Sequence, residues 1–333
     1  YWMLSAAITV DVFANIRAVE LALAVTSVYL LGQSRKWLAA SLNGLILCTL
    51  LVSIGLLPFG DRLGAARIGD ISLGNPVRTG FLCALALLLA FADRGRWLQL
   101  EKARRSILVI VAASSCALAL STSRGGWAVA ATALCAVAVL DRRSRVHLLG
   151  SGAVVAIALI VVLQSSRGAT VIRYFEKMAS SDRTILERTS GRSDQWLAFP
   201  QVVWASPLWG HGLGAGRRIS YEYTGVGRPW HSLYLHVGTE TGLIGMSILG
   251  VLLYRIAVRC RSHRRATGET LPAAALVGFA TVGITVIGFD AISGLYVGLA
   301  LLAGDLRSVY VMTPLLPRTT EEVYGSARPV LPL

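Results

Sequence analysis

Long apolar runs dominate the pattern of hydrophobic and polar positions along this chain. About ten of them approach the length of roughly 20 residues that a helix needs to cross about 30 Å of hydrocarbon. These runs lie near residues 2–16, 18–32, 37–57, 78–92, 106–121, 126–140, 148–164, 233–254, 271–288 and 291–304. A transmembrane β-barrel would instead show short segments of alternating hydrophobicity. The pattern therefore predicts an all-α polytopic membrane protein.

Charged residues between the runs predict their orientation, because loops on the cytoplasmic side of a membrane are rich in Lys and Arg. Basic clusters occur in alternate loops, which places all of them on one side, and we assign that side to the cytoplasm. The clusters are Arg35–Lys36 and residues 93–105, 141–145 and 255–265. The opposite side then carries the 58–77 loop, a tight turn at residues 121–126 and one long segment, residues 164–229.

This topology divides the chain into four parts. Residues 1–164 contain the N-terminal transmembrane helices, residues 165–232 a large external loop, residues 233–304 the C-terminal transmembrane helices and residues 305–333 a cytoplasmic tail. The chain begins inside an apolar run without an initiator Met. We therefore expect further residues before it in the complete protein.

The composition agrees with a membrane protein and argues against other classes. Of 333 residues, 54% are hydrophobic and 15% are charged, and the mean hydropathy is +0.61. Cytoplasmic loops and contact with anionic headgroups explain the net charge of +14, because the sequence lacks the soluble basic module with interleaved aromatic residues that nucleic-acid binding favours. The five cysteines have no CxxC spacing and predict neither a disulfide framework nor a metal site.

The long external segment is unusually basic for its predicted side of the membrane. Between residues 165 and 232 it holds nine Lys and Arg residues against five Asp and Glu residues. Long segments cross membranes largely regardless of charge, so the topology stands. The excess positive charge is consistent with an ordinary solvated loop or with a pocket for an anion at the outer membrane surface.

The first candidate for anion binding is Arg124, in the sequence STSRGG between two apolar runs. Gly125 and Gly126 permit a sharp turn from one helix into the next. The hydroxyl groups at positions 121–123 can satisfy backbone groups near that turn. An arginine here either reaches toward lipid headgroups or presents its planar guanidinium group to a phosphate, which it can bind through two hydrogen bonds.

The second candidate, Arg192, precedes an amphipathic stretch that starts at a Ser-Asp helix cap. The apolar spacing predicts one helix face that would lie on the membrane surface. This face consists of Trp196, Phe199, Val203 and Trp204. The stretch ends in SPLWGHGLGAG, which contains His211 and whose backbone amides can approach a ligand closely. Because no strand precedes it, this glycine run is not a dinucleotide-binding fingerprint.

The third candidate, His231, lies in GRPWHSLYLHVGTETGLIG at residues 227–245. Pro229 favours a helix start, which places His231 in the first turn of the eighth predicted span. There the helix dipole disfavours an imidazolium ion and favours bound anions. A neutral histidine beside a diphosphate is a candidate general base. His236 and Glu240 are four residues apart and are expected to pair on one helix face.

Metal-dependent and serine-hydrolase chemistry find no support in the sequence. The external acidic residues are scattered without DxD, HxH or HExxH spacing, and the GxSxG elbow of hydrolases is missing. We therefore expect no metal and no cofactor. If a diphosphate leaves at this site, arginine side chains must neutralise it.

Taken in order, STSRGGW, SGRSDQW…SPLWGHGLGAG and HSLYLHVGTETGLIG resemble the O-antigen ligase/polymerase superfamily, the Wzy_C-type membrane glycosyltransferases. The resemblance spans roughly residues 106–250. It implies a GT-C-like fold with about twelve transmembrane helices, of which about ten are visible in this sequence, and one large periplasmic loop. The family commonly has His-Asn where this chain has His231-Ser232.

The resemblance implies catalytic roles for His231, Arg124 and Arg192. An undecaprenyl-diphosphate-linked glycan would meet the two arginines at the periplasmic face of the bacterial inner membrane. His231 would take the proton of an acceptor hydroxyl, with inversion at the anomeric carbon. Further residues are expected to assist substrate binding, namely Arg217, Arg218, Arg228 and His211.

The acceptor is the least determined part of this interpretation. Transfer to lipid A-core, the O-antigen ligase reaction, is preferred because a compact basic loop can also face the phosphorylated core of lipopolysaccharide. An O-antigen or exopolysaccharide polymerase and a protein O-oligosaccharyltransferase share the chemistry and differ in acceptor. A lipid-linked-glycan transporter is the alternative of another class. It predicts paired repeats and charged residues along the bundle interior, whereas the charge here collects on one external face.

Overall fold

The computed structural model describes most of the chain between residues 76 and 302. The described residues are 76–92, 104–164, 168–179, 192–285 and 293–302, with positions 23–27, 30, 40, 41, 44 and 47. The first three predicted spans and the predicted cytoplasmic tail lie outside them, apart from those helical positions between residues 23 and 47. Most of the 58–77 loop and of the basic segment 93–105 also lies outside the described residues.

Every regular element within the described residues is an α-helix, as the apolar runs predict. The helices are α1 (Pro76–Ala92), α2 (Arg104–Ser121), α3 (Arg124–Leu140), α4 (Arg142–Gln164), α5 (Gly168–Ala179), α6 (Arg192–Ala205), α7 (Gly216–Thr224), α8 (Leu233–Thr267), α9 (Leu271–Thr285) and α10 (Ser293–Leu302). Helices α1–α4 and α8–α10 coincide with the predicted spans from residue 78 onward, which confirms their helical structure. Helices α4 and α8 are long and apolar enough to cross a membrane, and α1, α2, α3, α9 and α10 are shorter apolar helices.

Helix α1 forms the centre of the bundle, because its sequence is apolar on all sides. Its residues 81–91 are all buried, and α2, α3 and α9 pack around it. The closest approach is to α3, where a Cβ atom added to Gly126 would lie 2.7 Å from the Cα atom of Gly80. Small residues at such a crossing allow two backbones to approach closely, as is typical of helix packing in membranes.

Successive membrane helices of the described bundle run in opposite directions, so their termini collect at two opposite ends. At one end, here named the basic end, the Arg264 guanidinium group donates to the carbonyl of Leu140, which terminates α3 (3.2 Å). At the other, here named the site end, α2 turns into α3 and α9 ends beside the start of α8. There Ser232 Oγ donates to the carbonyl of Gly283 (3.0 Å). The basic clusters at residues 141–145 and 255–265 therefore share one end, in agreement with the predicted topology.

Helix α8 is interrupted at Gly242, whose φ of 62° and ψ of −157° are far from helical values. In an unbroken helix, the N–H groups of Leu243 and Ile244 would bond to the carbonyls of Thr239 and Glu240, four residues earlier. At the break all four of these backbone groups bond to the loop that follows α6. The bonds join Leu243 N to Pro207 O (2.8 Å), Ile244 N to Leu208 O (3.3 Å), His211 N to Thr239 O (2.8 Å) and Gly212 N to Glu240 O (3.1 Å).

We name these four hydrogen bonds the clasp, and residues 206–215 the glycine loop. Glycine is required where the two backbones meet. A Cβ atom on Gly210 would lie 2.5 Å from the carbonyl carbon of Glu240, and one on Gly242 would lie 2.6 Å from the carbonyl oxygen of Leu208. Non-helical backbone in a membrane protein is stable only where its polar groups have partners, and the clasp provides them. The sequence led us to expect that backbone amides of this loop bind a ligand. In the structure the amides of His211 and Gly212 instead bind carbonyl groups of α8.

Replacement of Gly242 by alanine is expected to open the clasp. The φ/ψ values of Gly242 are accessible essentially to glycine alone, and strain of this kind costs about 1–3 kcal/mol, to which the overlap with Leu208 adds. Gly242→Ala should therefore lower the unfolding temperature of the detergent-purified protein. The measurement is the folded, monodisperse fraction after heating.

Gly250→Ala is the matched control, because Gly250 lies in the same helix and a Cβ atom there would meet nothing within 4 Å. Alanine favours a helix over glycine by up to about 1 kcal/mol, so this variant should keep or raise the unfolding temperature. Equal unfolding temperatures for the two variants would contradict the role of the clasp.

Candidate functional site

The turn between α2 and α3 directs Arg124 to the site end. Ser123 caps α3, since its Oγ accepts the N–H of Gly126 (3.1 Å). The Ser121 hydroxyl donates to the carbonyl of Leu118 (2.8 Å) and accepts the N–H of Ser123 (3.3 Å). The expectation that these hydroxyl groups satisfy the backbone around the turn is confirmed for both serines.

The reversal of the chain takes place at Thr122, whose φ is 48°. A positive φ is rare for a β-branched residue. The expectation of a sharp turn at Gly125 and Gly126 was wrong, because both lie inside α3. Gly126 is required at the crossing with α1, and a Cβ atom on Gly125 would lie 3.2 Å from Thr285 Oγ1. The two glycines therefore set how closely Arg124 is held to α1 and α9.

Helix α6 begins at Arg192 itself and continues through Pro200 to Ala205. Its inward face differs from the predicted amphipathic face. Gln195 and Val202 are buried, and the ring of Phe199 packs edge-on against Trp230 with centroids 6.3 Å apart. The exposed side carries three large apolar residues, Trp196, Leu197 and Trp204. Phe199 therefore faces the interior, because its ring packs against the fully buried Trp230.

The position of Pro229 suggested that His231 lies in the first turn of α8. In the structure His231 lies just before this helix. The helix begins at Leu233, after Ser232 in an extended conformation. Ser232 is the N-cap of α8, and its hydroxyl donates to the carbonyl of Gly283 in α9. The backbone N–H of His231 donates to Gln195 Oε1 (2.9 Å). His231 is thus fixed between α6 and α9 at the site end.

Partial burial and two cations lower the pKa of the His231 imidazole. Burial is the largest cause that lowers its pKa from the usual value, and repulsion by the guanidinium groups of Arg192 and then Arg228 lowers it further. A neutral imidazole has a free lone pair and can accept a proton. The structure therefore brings together three of the predicted residues, His231, Arg192 and Arg228.

Arg124 lies at the same end of the bundle, as the first residue of α3. Its neighbour Gly125 lies against Thr285 in the last turn of α9, and Ser232, the neighbour of His231, is bonded to Gly283 in that turn. A neighbour of each candidate residue therefore contacts the last turn of α9. The catalytic role of Arg124 stays a prediction.

Of three further residues predicted to bind substrate, two have other partners in the structure and one is exposed. Arg217 and Arg218 lie on the exposed surface of α7, where Arg218 forms an ion pair with Glu222 (2.9 Å). The ring Nε2 of His211 bonds to the carbonyl of Val202 (2.9 Å), which ties the glycine loop to α6. Substrate binding by these three residues stays a prediction.

His236 and Glu240 form the expected pair on one face of α8. Their side-chain atoms Nε2 and Oε1 lie 3.5 Å apart, and only 3% of the Glu240 side chain is exposed. The same Oε1 accepts the backbone N–H of Gly216 at the start of α7 (3.3 Å). The pair therefore joins α7 to α8, next to the clasp.

Sequence reasoning missed two residues that organise this site, Gln195 and Gly242. Gln195 precedes Phe199 by four positions and Val202 by seven, which places it on the same face of α6. This spacing was a signal that Gln195 points inward. Gly242 gave no distinct signal, because glycine is common in transmembrane helices. Among the described residues, no group of three or more His, Cys, Asp or Glu side chains is arranged to hold a metal ion.

The arrangement can combine proton transfer with stabilisation of negative charge. A neutral imidazole next to two guanidinium groups can accept a proton from a hydroxyl group. Guanidinium groups fixed at the end of a helical bundle can stabilise an anionic leaving group without reorganisation.

Comparison with known families agrees with this chemistry. Residues 107–250 match the model of the family described as O-antigen ligase (Wzy_C). The matched segment runs from α2 into α8 and includes Arg124, Arg192, His231 and the clasp. No curated protein matches the chain in sequence. Over residues 107–250 this helical membrane protein is therefore similar to the O-antigen ligase (Wzy_C) family.

Proposed function

We propose that this protein is an inverting, metal-independent glycosyltransferase of the inner membrane. It would move an undecaprenyl-diphosphate-linked O-antigen glycan onto lipid A-core at the periplasmic face. The observation that carries the proposal is the His231 imidazole, whose pKa is lowered by burial, Arg192 and Arg228, within the segment that matches the O-antigen ligase family.

The proposed reaction follows from the charges at the site. His231 takes the proton of an acceptor hydroxyl while the oxygen of that hydroxyl attacks the anomeric carbon of the donor. The bond from that carbon to the diphosphate oxygen breaks on the opposite face, which inverts the configuration. The diphosphate leaves with both electrons of the bond, and Arg124 and Arg192 stabilise its growing negative charge.

Inner-membrane orientation, lipid A-core as acceptor and the assisting roles of Arg217, Arg218, Arg228 and His211 are parts of this proposal. The orientation is supported by the basic end of the bundle, which corresponds to the cytoplasmic side under the positive-inside rule. The acceptor is supported by the basic character of residues 165–232, which suits a phosphorylated sugar.

Acceptor choice and metal independence can be tested in one experiment. Purified protein is incubated in excess EDTA with an undecaprenyl-diphosphate glycan and with either lipid A-core or a second lipid-linked glycan. Extension of lipid A-core is the expected result. Extension of the second glycan would make the protein a polymerase, and transfer that requires added Mg²⁺ or Mn²⁺ would overturn the metal-free mechanism. Absence of transfer to any acceptor, with donor moved across vesicles, would favour a transporter.

Arg124→Lys should lower the transfer rate by roughly 100-fold, the effect typical of removing one donor to a developing negative charge. Lysine keeps the charge and loses the planar pair of donors that suits a phosphate. The measurement is the initial rate of transfer in nanodiscs. Arg259→Lys, on the exposed surface of α8 toward the basic end, is the control and should transfer at the wild-type rate. Near wild-type rates for both Arg124→Lys and Arg124→Ala would leave Arg124 as a headgroup anchor.

His231→Ala should abolish transfer and leave donor affinity largely intact, whereas Arg192→Ala should weaken donor binding. General-base catalysis contributes about 10²–10⁴ to a rate, but a neutral imidazole adds little to holding a diphosphate. Donor affinity and single-turnover rate are measured for each variant. His236→Ala is the comparison, because its pairing with Glu240 predicts a loss of stability that exceeds any loss of turnover. Loss of turnover in His236→Ala with turnover kept in His231→Ala would assign the base to the other histidine.

Arg228→Gln should shift the acidic limb of the kcat/KM profile to higher pH. The base works only when neutral, so activity falls as pH drops through the pKa of His231. Arg228 helps to lower that pKa, and its removal lets the pKa rise toward the usual value of about 6.5. Arg173→Gln, the same change on an exposed arginine of α5, should leave the limb unchanged. An unshifted limb in Arg228→Gln would argue against His231 as the titrating base.

A further inference from the structure

The side-chain amide of Gln195 binds two backbone groups next to Trp230, the N–H of His231 and the carbonyl of Pro229. Its Oε1 accepts the N–H of His231 (2.9 Å), and its Nε2 donates to the carbonyl of Pro229 (3.1 Å). The same Nε2 lies 3.5 Å from Ser220 Oγ. Both N–H groups and the carbonyl of the amide are thereby engaged, which fixes the orientation of the amide. Only 3% of Gln195 is exposed.

The partners of Gln195 are themselves held in place. The Ser220 hydroxyl donates to the carbonyl of Val226 (3.2 Å), so that its oxygen is available to accept from Gln195. Trp230, between the two bonded residues, is fully buried against Phe199. Gln195 therefore connects α6, α7 and the segment before α8 in a single buried network.

Gln195 also stands in a fixed relation to the cations of the site. It lies three residues after Arg192 on α6, and residues with this spacing are neighbours on a helix surface. Arg192 is close enough to His231 to repel its protonated form. The amide thus sets the position of the His231 backbone relative to the helix that carries Arg192.

A glutamine side chain is not the only possible hydrogen-bond partner for these two backbone groups. Water could satisfy the N–H of His231 and the carbonyl of Pro229 if this segment were exposed, as loops usually are. The sequence instead places a long amide at an inward position among apolar residues, where it costs free energy unless all of its groups are bonded. A buried network that is fully satisfied makes a local structure rigid.

We propose that Gln195 is a positioning residue for the glycosyl transfer, which holds the His231 backbone so that the imidazole is aimed at the acceptor hydroxyl beside Arg192. This inference rests on the proposed function, because it takes His231 as the base. Gln195 does not touch substrate and acts through His231. A displacement of about 1 Å in a catalytic group can lower a rate by about 100-fold.

The test compares Gln195→Leu with Gln201→Leu. Leucine is apolar and shorter than glutamine, and it removes all three hydrogen bonds. Gln201 lies on the exposed side of the same helix. Gln195→Leu should lower the single-turnover rate at saturating donor by about 10–100-fold, with donor affinity within about twofold of wild type. Gln201→Leu should match wild type in both. A wild-type rate in Gln195→Leu, or a rate that falls in proportion to donor affinity, would overturn the proposal.

Two further variants separate positioning from simple stabilisation. Gln195→Glu keeps an oxygen that accepts the N–H of His231 and adds a negative charge that stabilises the imidazolium ion. It should transfer faster than Gln195→Leu and shift the acidic limb of the pH profile to higher pH. Ser220→Ala removes only the longest of the three bonds and should slow transfer less than Gln195→Leu. If the rates of all three variants simply follow their unfolding temperatures, Gln195 is structural and the proposal fails.

His231→Ala, measured in parallel, distinguishes the two levels of inference. Inactive His231→Ala together with a wild-type rate in Gln195→Leu would overturn the positioning role alone. Transfer that persists in His231→Ala would overturn both the assigned base and the role of Gln195. Inactive His231→Ala with slow transfer and intact donor affinity in Gln195→Leu is the result expected here.

Discussion

The site depends on the clasp, the four backbone hydrogen bonds that join the glycine loop to the break in α8. Gly242 has backbone angles that do not occur in a helix. The backbone N–H and carbonyl groups that lose their helical partners at this break bond to the glycine loop instead. A loop tied to a membrane helix in this way cannot move independently of the bundle. Arg192, carried by the helix before the loop, and His231, just before the broken helix, are therefore held in one rigid unit.

Electrostatics then determines what this unit can do. Burial and the repulsion of an imidazolium ion by the guanidinium groups of Arg192 and Arg228 lower the pKa of His231, close to groups that attract anions. A base that remained protonated would be ineffective, and a site without cations would leave a departing diphosphate unstabilised. The same arginines are thus expected to serve both the proton acceptor and the leaving group.

Close packing at the site end connects these charges to the bundle. The crossing of α1 and α3 at Gly80 and Gly126 holds Arg124 at the start of α3. The last turn of α9 contacts both the Arg124 region and the His231 region. Positions that look unremarkable in sequence, small residues and one buried amide, therefore control the geometry of the charged residues.

The sequence by itself determined the helices from residue 78 onward, the shared end of the basic clusters and the resemblance to the O-antigen ligase family, because long apolar runs and ordered motifs are local properties of a chain. It also identified His231, Arg192 and Arg228, which the structure brings together. Only the tertiary structure decided the break at Gly242, the inward face of α6, the packing roles of Gly125 and Gly126, and the bonds of Gln195. Each of these depends on contact between segments far apart in the chain, and local hydrophobic periodicity carries no information about such partners.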